Sequence, residues 1–232
     1  MSQFSRHVVQ PLHNLWESWR GTRDWRQLVM QGLIPPDFLQ RRAAAARILQ
    51  HAYDDYVTRV STRKMAVSWE TACLLYSLAG VLQPRAILDL GSGFSSFVLR
   101  SYAARAEHPC CVTSVDDNRH WLKQTETYLR QSGLPDDGLL HWDDFAPLAP
   151  QARFELVFHD LGNLETRAAV LPVVLPCLTP GGVLVLDDMH KHRFRRKAQR
   201  HARQAGWRVL SARVHTLDDL GRFSEIALRK SA

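Results

Sequence analysis

Residues 87–96 read Ile-Leu-Asp-Leu-Gly-Ser-Gly-Phe-Ser-Ser, and this stretch decides the fold of the chain. Its apolar start predicts a buried parallel strand that ends in an acid. Gly91 and Gly93 then predict a tight turn, because residues without a side chain tolerate a positive φ and let a ligand approach the backbone. A helix follows, and either Ser95 or Ser96 can cap it. Ligands of open α/β sheets bind at this end of the strands, so we expect a binding site here.

Apolar strand segments alternate with helical segments downstream. The expected strands are Ala86–Leu90, Cys111–Val115, Leu139–Trp142, Leu156–His159, Val183–Leu186, Arg208–Val214 and Ser224–Leu228. The expected helices are Ser95–Ala106, Arg119–Gln131, Leu164–Leu175 and Lys191–Ala205. This alternation, with short connections, predicts a parallel α/β sheet with helices on both faces. No helix separates the last two strands, which can therefore pair as an antiparallel hairpin.

The front of the chain has a helical pattern without strands. It predicts an N-terminal helical extension over residues 1–82, followed by a second domain over residues 83–232. The extension could cover a ligand pocket, form a dimer interface, or do both. Trp16, Trp19 and Trp25 are of a residue type that more often anchors a core or an interface than a substrate. A homodimer through these helices is one option.

The composition is that of an ordinary globular protein, with 45% hydrophobic and 23% charged residues. No apolar run is long enough to span a bilayer, and residues 1–7 lack an apolar signal core. The four cysteines show no metal-type spacing and favour reduced packing residues in a cytoplasmic protein. We therefore expect no membrane partner. The net charge of +7 permits an acidic partner or substrate.

The strand expected at residues 111–115 also ends in acids, Asp116 and Asp117. A carboxylate at this point can accept hydrogen bonds from both ribose hydroxyls of an adenosine-type ligand. With these residues in view, the chain resembles the class I S-adenosylmethionine (SAM)-dependent methyltransferases. Residues 89–93 are similar to the first motif of that family, and Asp116 is similar to its ribose-binding acid. The resemblance spans roughly residues 85–229 and implies a Rossmann-like, doubly wound, seven-stranded sheet whose last strand is antiparallel.

The resemblance also implies the cofactor contacts. Asp143 would accept a hydrogen bond from the adenine amino group and Trp142 would flank the ring; the alternative is a turn with an interior Trp142. Ser68, before the last N-terminal helix, would lie near the methionine part of the cofactor. The residues expected to bind SAM are Ser68, Asp89, Gly91, Ser92, Gly93, Ser95, Asp116, Asp117, Trp142, Asp143 and Asp160.

Three further acids follow the fourth and fifth strands: Asp160, Asp187 and Asp188. Converging carboxylates repel one another unless a cation neutralises them, and oxygen ligands suit Mg²⁺ or Mn²⁺. The pattern is similar to the metal-dependent O-methyltransferases of catechol and sugar type, which implies a divalent cation at these three residues. The alternative is that Asp188 caps the next helix and Asp187 bonds only to a backbone amide.

Catechol-type enzymes have a lysine just after the fourth-strand acid, whereas Asp160 here is followed by Leu-Gly-Asn. Candidate bases are His159, His190 and Lys191. We favour His190 as the catalytic base, together with Asp160, because an imidazole titrates near neutral pH and His190 follows the acidic pair closely. His190 as a metal ligand or as a capping residue is the alternative.

These observations favour an enzyme that moves a methyl group from SAM to a hydroxyl of a small molecule, assisted by a divalent cation. An anionic substrate is one option. The basic run at residues 190–203 also permits a nucleic acid, although a solvated helix explains it more simply. Two alternatives remain: a metal-independent methyltransferase acting on RNA or protein, and a non-catalytic cofactor-binding protein.

Overall fold

The computed structural model describes residues 3–229, with side chains from residue 15 onward. The first two and last three residues of the predicted domains lie outside this part. The strands are β1 Ala86–Leu90, β2 Cys111–Asp116, β3 Leu139–His141, β4 Phe154–His159, β5 Leu178–Leu186, β6 Trp207–Ser211 and β7 Glu225–Arg229.

These strands form one seven-stranded sheet in the order β3-β2-β1-β4-β5-β7-β6. All pairings are parallel except those of β7, which lies antiparallel between β5 and β6. The predicted fold class, a mostly parallel α/β sheet with an antiparallel last strand, is therefore confirmed.

The helices surround this sheet. They are α1 Gln3–Met30, α2 Phe38–Arg59, α3 Trp69–Leu82, α4 Phe94–Ala103, α5 Arg119–Gln131, α6 Trp142–Phe145, α7 Leu164–Val174, α8 His192–Gln204 and α9 Arg213–Thr216. Two predicted strands are shorter than expected. Residue 142 begins α6 rather than ending β3, because His141 caps that turn by accepting from the backbone N–H of Asp143. Likewise, β6 ends at Ser211 and α9 begins at Arg213.

The alternation of apolar side chains along the strands creates a core on each face of the sheet. Ile87 of β1 packs with Phe158 of β4 in one cluster, whereas Leu88 and Leu90 belong to the other. The first cluster also contains residues of α2, α3 and α4, and the second contains residues of α7 and α8. Helices on both faces thus hold the carboxyl ends of the strands in fixed positions.

The N-terminal helices share the first of these cores. Leu28 of α1, Leu49 of α2 and Leu75 of α3 are fully buried in the cluster that contains Ile87. Trp25 packs against Phe38 and His215, as expected of a core anchor. The division at residue 82 and the homodimer stay predictions. Among residues 3–229, no helix combines the length and the apolar character that crossing a membrane requires.

Candidate active site

A cavity of about 530 Å³ opens at the carboxyl ends of β1, β2, β4 and β5. One end is lined by Gly91, Ser92, Asp116 and Asp117, and the other by Asp160, Arg167, Asp187 and Asp188. Two larger cavities, of about 590 and 890 Å³, contain none of the predicted site residues. The cavity at the strand ends is therefore the candidate site, as the fold predicts.

The turn after β1 depends on Gly91. Its φ is +98°, and a Cβ at this position would lie 2.6 Å from the carbonyl carbon and oxygen of Asp160. The next residue, Ser92, donates its backbone N–H and its hydroxyl to Oδ2 of Asp116, at 2.8 and 3.0 Å. The turn therefore lies directly against the loop after β4 and is tied to the end of β2.

Asp89 lies beneath this turn and not in the cavity. The carboxylate is fully buried and accepts hydrogen bonds from the hydroxyls of Ser96 and Ser114. Burial raises the pKa of Asp89 to about 6. Ser96 also caps α4 by accepting from the N–H of Gly93, while Ser95 donates to the carbonyl of Gly91. Asp89 and Ser95 thus support the turn, although the sequence predicted direct cofactor contacts. Gly93 also lies outside the residues that line the cavity.

Asp116 keeps part of its hydrogen-bonding capacity. Its Oδ2 accepts twice from Ser92, and its Oδ1 accepts from the N–H of Asn118 at 2.9 Å. Since each carboxylate oxygen can accept two hydrogen bonds, one lone pair of Oδ1 remains. The neighbouring carboxylate of Asp117 is exposed, lines the cavity and accepts no hydrogen bond from the described residues. The two acids can together receive a pair of vicinal hydroxyls.

Three predicted contacts do not reach the cavity. Ser68 is buried and caps α3, where its hydroxyl accepts from the N–H of Thr71. Trp142 packs beside Phe145, with ring centroids 6.0 Å apart. The side chain of Asp143 is 77% exposed and lies 3.3 Å from Nδ1 of His141. Both Trp142 and Asp143 belong to α6, which begins where β3 ends.

The three acids after β4 and β5 do line the cavity, but a guanidinium lies between two of them. Nη1 of Arg167 is 2.5 Å from Oδ1 of Asp160 and 3.0 Å from Oδ2 of Asp188. Asp187 instead accepts from the hydroxyl of Ser224 at 2.8 Å. Among residues 3–229, no group of three His, Cys, Asp or Glu side chains is arranged to hold a metal ion. This arrangement does not fit the cation site expected from sequence, since two of its three acids already have a cationic partner.

Sequence reasoning missed Arg167. It is 5% exposed and belongs to an otherwise apolar face of α7, between the fifth strand and the loop after β4. A charged residue at an inward position of an apolar helix was the available signal, because such a residue is rarely buried without a partner.

His190, the expected base, lies behind this cluster. Its Nδ1 is 3.5 Å from Oδ1 of Asp188 and is buried without a hydrogen-bond partner among the described residues. Burial lowers the pKa of His190, so the imidazole is neutral at pH 7. His190 itself is outside the cavity lining, whereas Asp188 is part of it. The backbone of Asp188 has φ +56°, a conformation that orients its side chain and is uncommon outside glycine.

Positive charge surrounds the mouth of the cavity. Lys64, from the connection between α2 and α3, and Lys191, just before α8, both line it and are exposed. Neither lysine has an ion-pair partner among the described residues. Arg222 also lines the cavity, but it is held by Asp218 and by backbone carbonyls of residues 63–66. The two lysines are therefore available to an anionic group.

Residues 88–189 match the family model of a methyltransferase domain. The fold is similar to the O-methyltransferase TomG from Streptomyces achromogenes, solved in complex with SAM, at 21% identity over 92% of this chain and 98% of that chain, with a TM-score of 0.56. It is also similar to an O-methyltransferase from Bacillus cereus, solved in complex with SAH, at 17% identity, 92% and 99% coverage and a TM-score of 0.58.

A third similar structure is the SAH-bound methyltransferase PaMTH1 of Podospora anserina, at 13% identity, with 85% of this chain and 89% of that chain covered and a TM-score of 0.57. No curated protein matches this sequence. The family model and the shared fold confirm the predicted resemblance to class I SAM-dependent methyltransferases.

Proposed function

We propose that this chain is a SAM-dependent methyltransferase that transfers a methyl group to a hydroxyl of a small molecule, and the match of residues 88–189 to a methyltransferase domain supports this. One observation carries the proposal: a single cavity joins the glycine turn to the acids that follow β4 and β5. Its volume of about 530 Å³ suits small ligands, which bind in clefts of about 300–1,000 Å³.

The residues at the turn fit SAM. Gly91 and Ser92 line the cavity at the end of β1, and Asp116 and Asp117 offer acceptors for the two ribose hydroxyls. When bound, SAM supplies a methyl group made electrophilic by its sulfonium. The acids at the other end of the cavity would favour that positive charge.

The mouth of the cavity favours an anionic substrate. Lys64 and Lys191 line the cavity and have no acidic partner among the residues whose side chains are described, so a carboxylate or phosphate on the substrate would gain two cationic contacts. Such contacts fix orientation, which is a large part of what methyl transfer needs from an enzyme.

Proton removal is assigned to Asp188 and His190. Asp188 lines the cavity and can accept a hydrogen bond from the substrate hydroxyl, and the neutral imidazole of His190 lies beyond it. As the bond from the substrate oxygen to the methyl carbon forms and the bond from that carbon to the sulfur breaks, the hydroxyl proton would pass to the carboxylate of Asp188. Nδ1 of His190, 3.5 Å from Oδ1 of Asp188, would then take up this proton. Asp160 is the second candidate base, because burial raises the pKa of its carboxyl well above the usual value despite the ion pair with Arg167.

The divalent cation expected from sequence is left out of this proposal, since Arg167 already supplies a positive charge to Asp160 and Asp188.

A second candidate acceptor of the methyl group is RNA. Four exposed cations that have no ion-pair partner in the described part of the chain follow one another along α8, namely Arg193, Arg196, Lys197 and Arg200. Binding to this face would weaken steeply with salt, whereas a small substrate would be far less sensitive.

Calorimetry with SAH tests the cofactor end of the proposal. We expect Asp116→Asn to weaken SAH binding about tenfold or more, since the loss of a charged acceptor costs about 1.5–3 kcal/mol. Asp143→Asn is the matched control and should bind SAH normally, because that side chain lies outside the cavity. Equal affinities for the two variants would contradict the assignment.

A panel of hydroxylated acceptors with labelled SAM tests the reaction itself. Carboxylated and phosphorylated acceptors should be methylated with a lower KM than their neutral counterparts, and Lys64→Ala should remove that preference. SAH binding without methylation of any acceptor would favour the non-catalytic alternative.

A further inference from the structure

We infer that the guanidinium of Arg167 takes the place of the divalent cation in this site, so that the chain neutralises its own acids and needs no metal between Asp160 and Asp188. This inference rests on the proposed function in one respect, namely that the cavity is the site of methyl transfer. The contacts that carry it are independent of which acceptor is methylated.

Arg167 contacts every segment that forms the acidic end of the cavity. Its Nη1 pairs with the carboxylates of Asp160 and Asp188, which follow β4 and β5. Its Nη2 donates to the carbonyls of Asp160 and Gly162, at 2.9 and 3.1 Å. A metal ion bound by the acids would hold the same two loops together, but from a position that Arg167 already takes.

Most of the N–H donors of Arg167 have acceptors within the protein. Of the five donors of a guanidinium, Nε donates to the carbonyl of Leu161 at 3.4 Å, one on Nη1 donates to Asp188, and two on Nη2 donate to backbone carbonyls. Nη1 also lies 2.5 Å from Oδ1 of Asp160. Arg167 is therefore a positioning residue, which orients the acids without touching the reacting atoms.

The surroundings fix this charge permanently. Arg167 is 5% exposed, and its guanidinium lies 5.6 Å from the centroid of the Phe194 ring. Its backbone belongs to the first turn of α7, which Asn163 caps. An arginine does not lose its proton in a protein, so the counter-ion is present at every working pH. A metal ion could enter only if this buried side chain left the carboxylates and carbonyls that it contacts.

The inference is tested by metal binding rather than by turnover. The wild-type chain, freed of metal with a chelator, is titrated with Mn²⁺ in a calorimeter in the presence of SAH. We expect no saturable binding. Saturable binding of one Mn²⁺ per chain would overturn the inference if the substitution Asp188→Asn abolished that binding.

Arg167→Ala removes the guanidinium and leaves the acids as available oxygen ligands. We expect this variant to bind Mn²⁺ at least tenfold more tightly than the wild type, and to gain thermal stability when Mn²⁺ is added. Arg153→Ala is the control, because Arg153 is exposed and donates only to the carbonyls of Pro150 and Ala152. A folded Arg167→Ala variant that does not bind Mn²⁺ would overturn the inference, since the acids would then not form a cation site even without the guanidinium.

A second variant covers a failure of Arg167→Ala to fold. Arg167→Lys keeps the positive charge, and we expect it to bind no Mn²⁺; tight binding of Mn²⁺ by this variant would overturn the inference. These results also separate this inference from the proposed function. A chain that binds no Mn²⁺ yet methylates no acceptor would leave Arg167 as the counter-ion and remove only the proposed reaction.

Discussion

At the scale of single residues, the chain supports its acidic side chains in two different ways. Asp89 is buried with two hydroxyl donors, and burial raises its pKa to about 6. Asp160 and Asp188 instead share the guanidinium of Arg167. The strand-end pattern predicted the place of all these acids. It could not predict their partners, because Arg167 comes from a different element and its contacts depend on how α7 packs on the sheet.

The environment of His190 gives a pH prediction. As a base, His190 must be neutral, and burial holds its pKa below the ordinary value of 6.5. We therefore expect kcat to rise as the pH increases through a midpoint below 6.5, and to be level above it. His190→Gln should lower kcat about a hundredfold and remove this acid limb, which a pH–rate profile with SAM and a methylated acceptor would measure. An unchanged acid limb in His190→Gln would assign the titration to another group.

At the scale of elements, β1, its turn and α4 were predictable because their signals are local. The spacing of apolar residues fixed the strand, and two glycines fixed the turn. The positions of the residues expected to contact adenine could not be predicted from such local signals. β3 is only three residues long, and the cap formed by His141 starts α6 one residue earlier than the apolar pattern suggests. Trp142 and Asp143 therefore lie in α6 and outside the cavity lining, whereas the family resemblance placed them against the adenine ring.

The turn itself supplies a prediction for Gly91→Ala. A Cβ at residue 91 would meet the backbone of Asp160 at 2.6 Å, and backbone cannot rotate away as a side chain can. Gly133→Ala is the control, since Gly133 also has a positive φ, of +68°, but has no atom within 4 Å of the added Cβ. We expect Gly133→Ala to cost about 1 kcal/mol, from the left-handed conformation alone. Gly91→Ala should cost at least about 2 kcal/mol more by urea denaturation, and should weaken SAH binding; equal costs would show that the turn and the Asp160 loop can separate freely.

At the scale of the whole molecule, the front helices are joined to the sheet by a buried group of charges. Arg195 of α8 pairs with Glu17 of α1 at 2.8 Å, and with Glu225 of β7 at 2.7 Å. Arg20 and Asp24 of α1 extend the group, and Asp24 accepts from the N–H of Ser211 at the end of β6. The apolar periodicity predicted that α1 is a helix. It could not predict where α1 packs on the sheet, because the residues that pair with α1 lie about 180 to 200 positions later in the sequence. Leu15, Trp16 and Trp19 remain largely exposed on α1, where the predicted homodimer can be tested.

This group of charges predicts how strongly α1 is attached. Arg195→Met keeps most of the side-chain volume but removes the cation shared by Glu17 and Glu225, and the loss of one partner from a buried ion pair typically costs about 3–5 kcal/mol. Arg193→Met is the matched control on the same helix, because Arg193 is exposed and has no ion-pair partner among the described residues. We expect the control to unfold in urea like the wild type, whereas Arg195→Met should unfold at a clearly lower concentration. Limited proteolysis should then cut within residues 15–36 of Arg195→Met before any cleavage in the sheet, since α1 loses the cation that joins Glu17 to Glu225 of β7. Two variants of equal stability would show that apolar packing alone holds α1 in place.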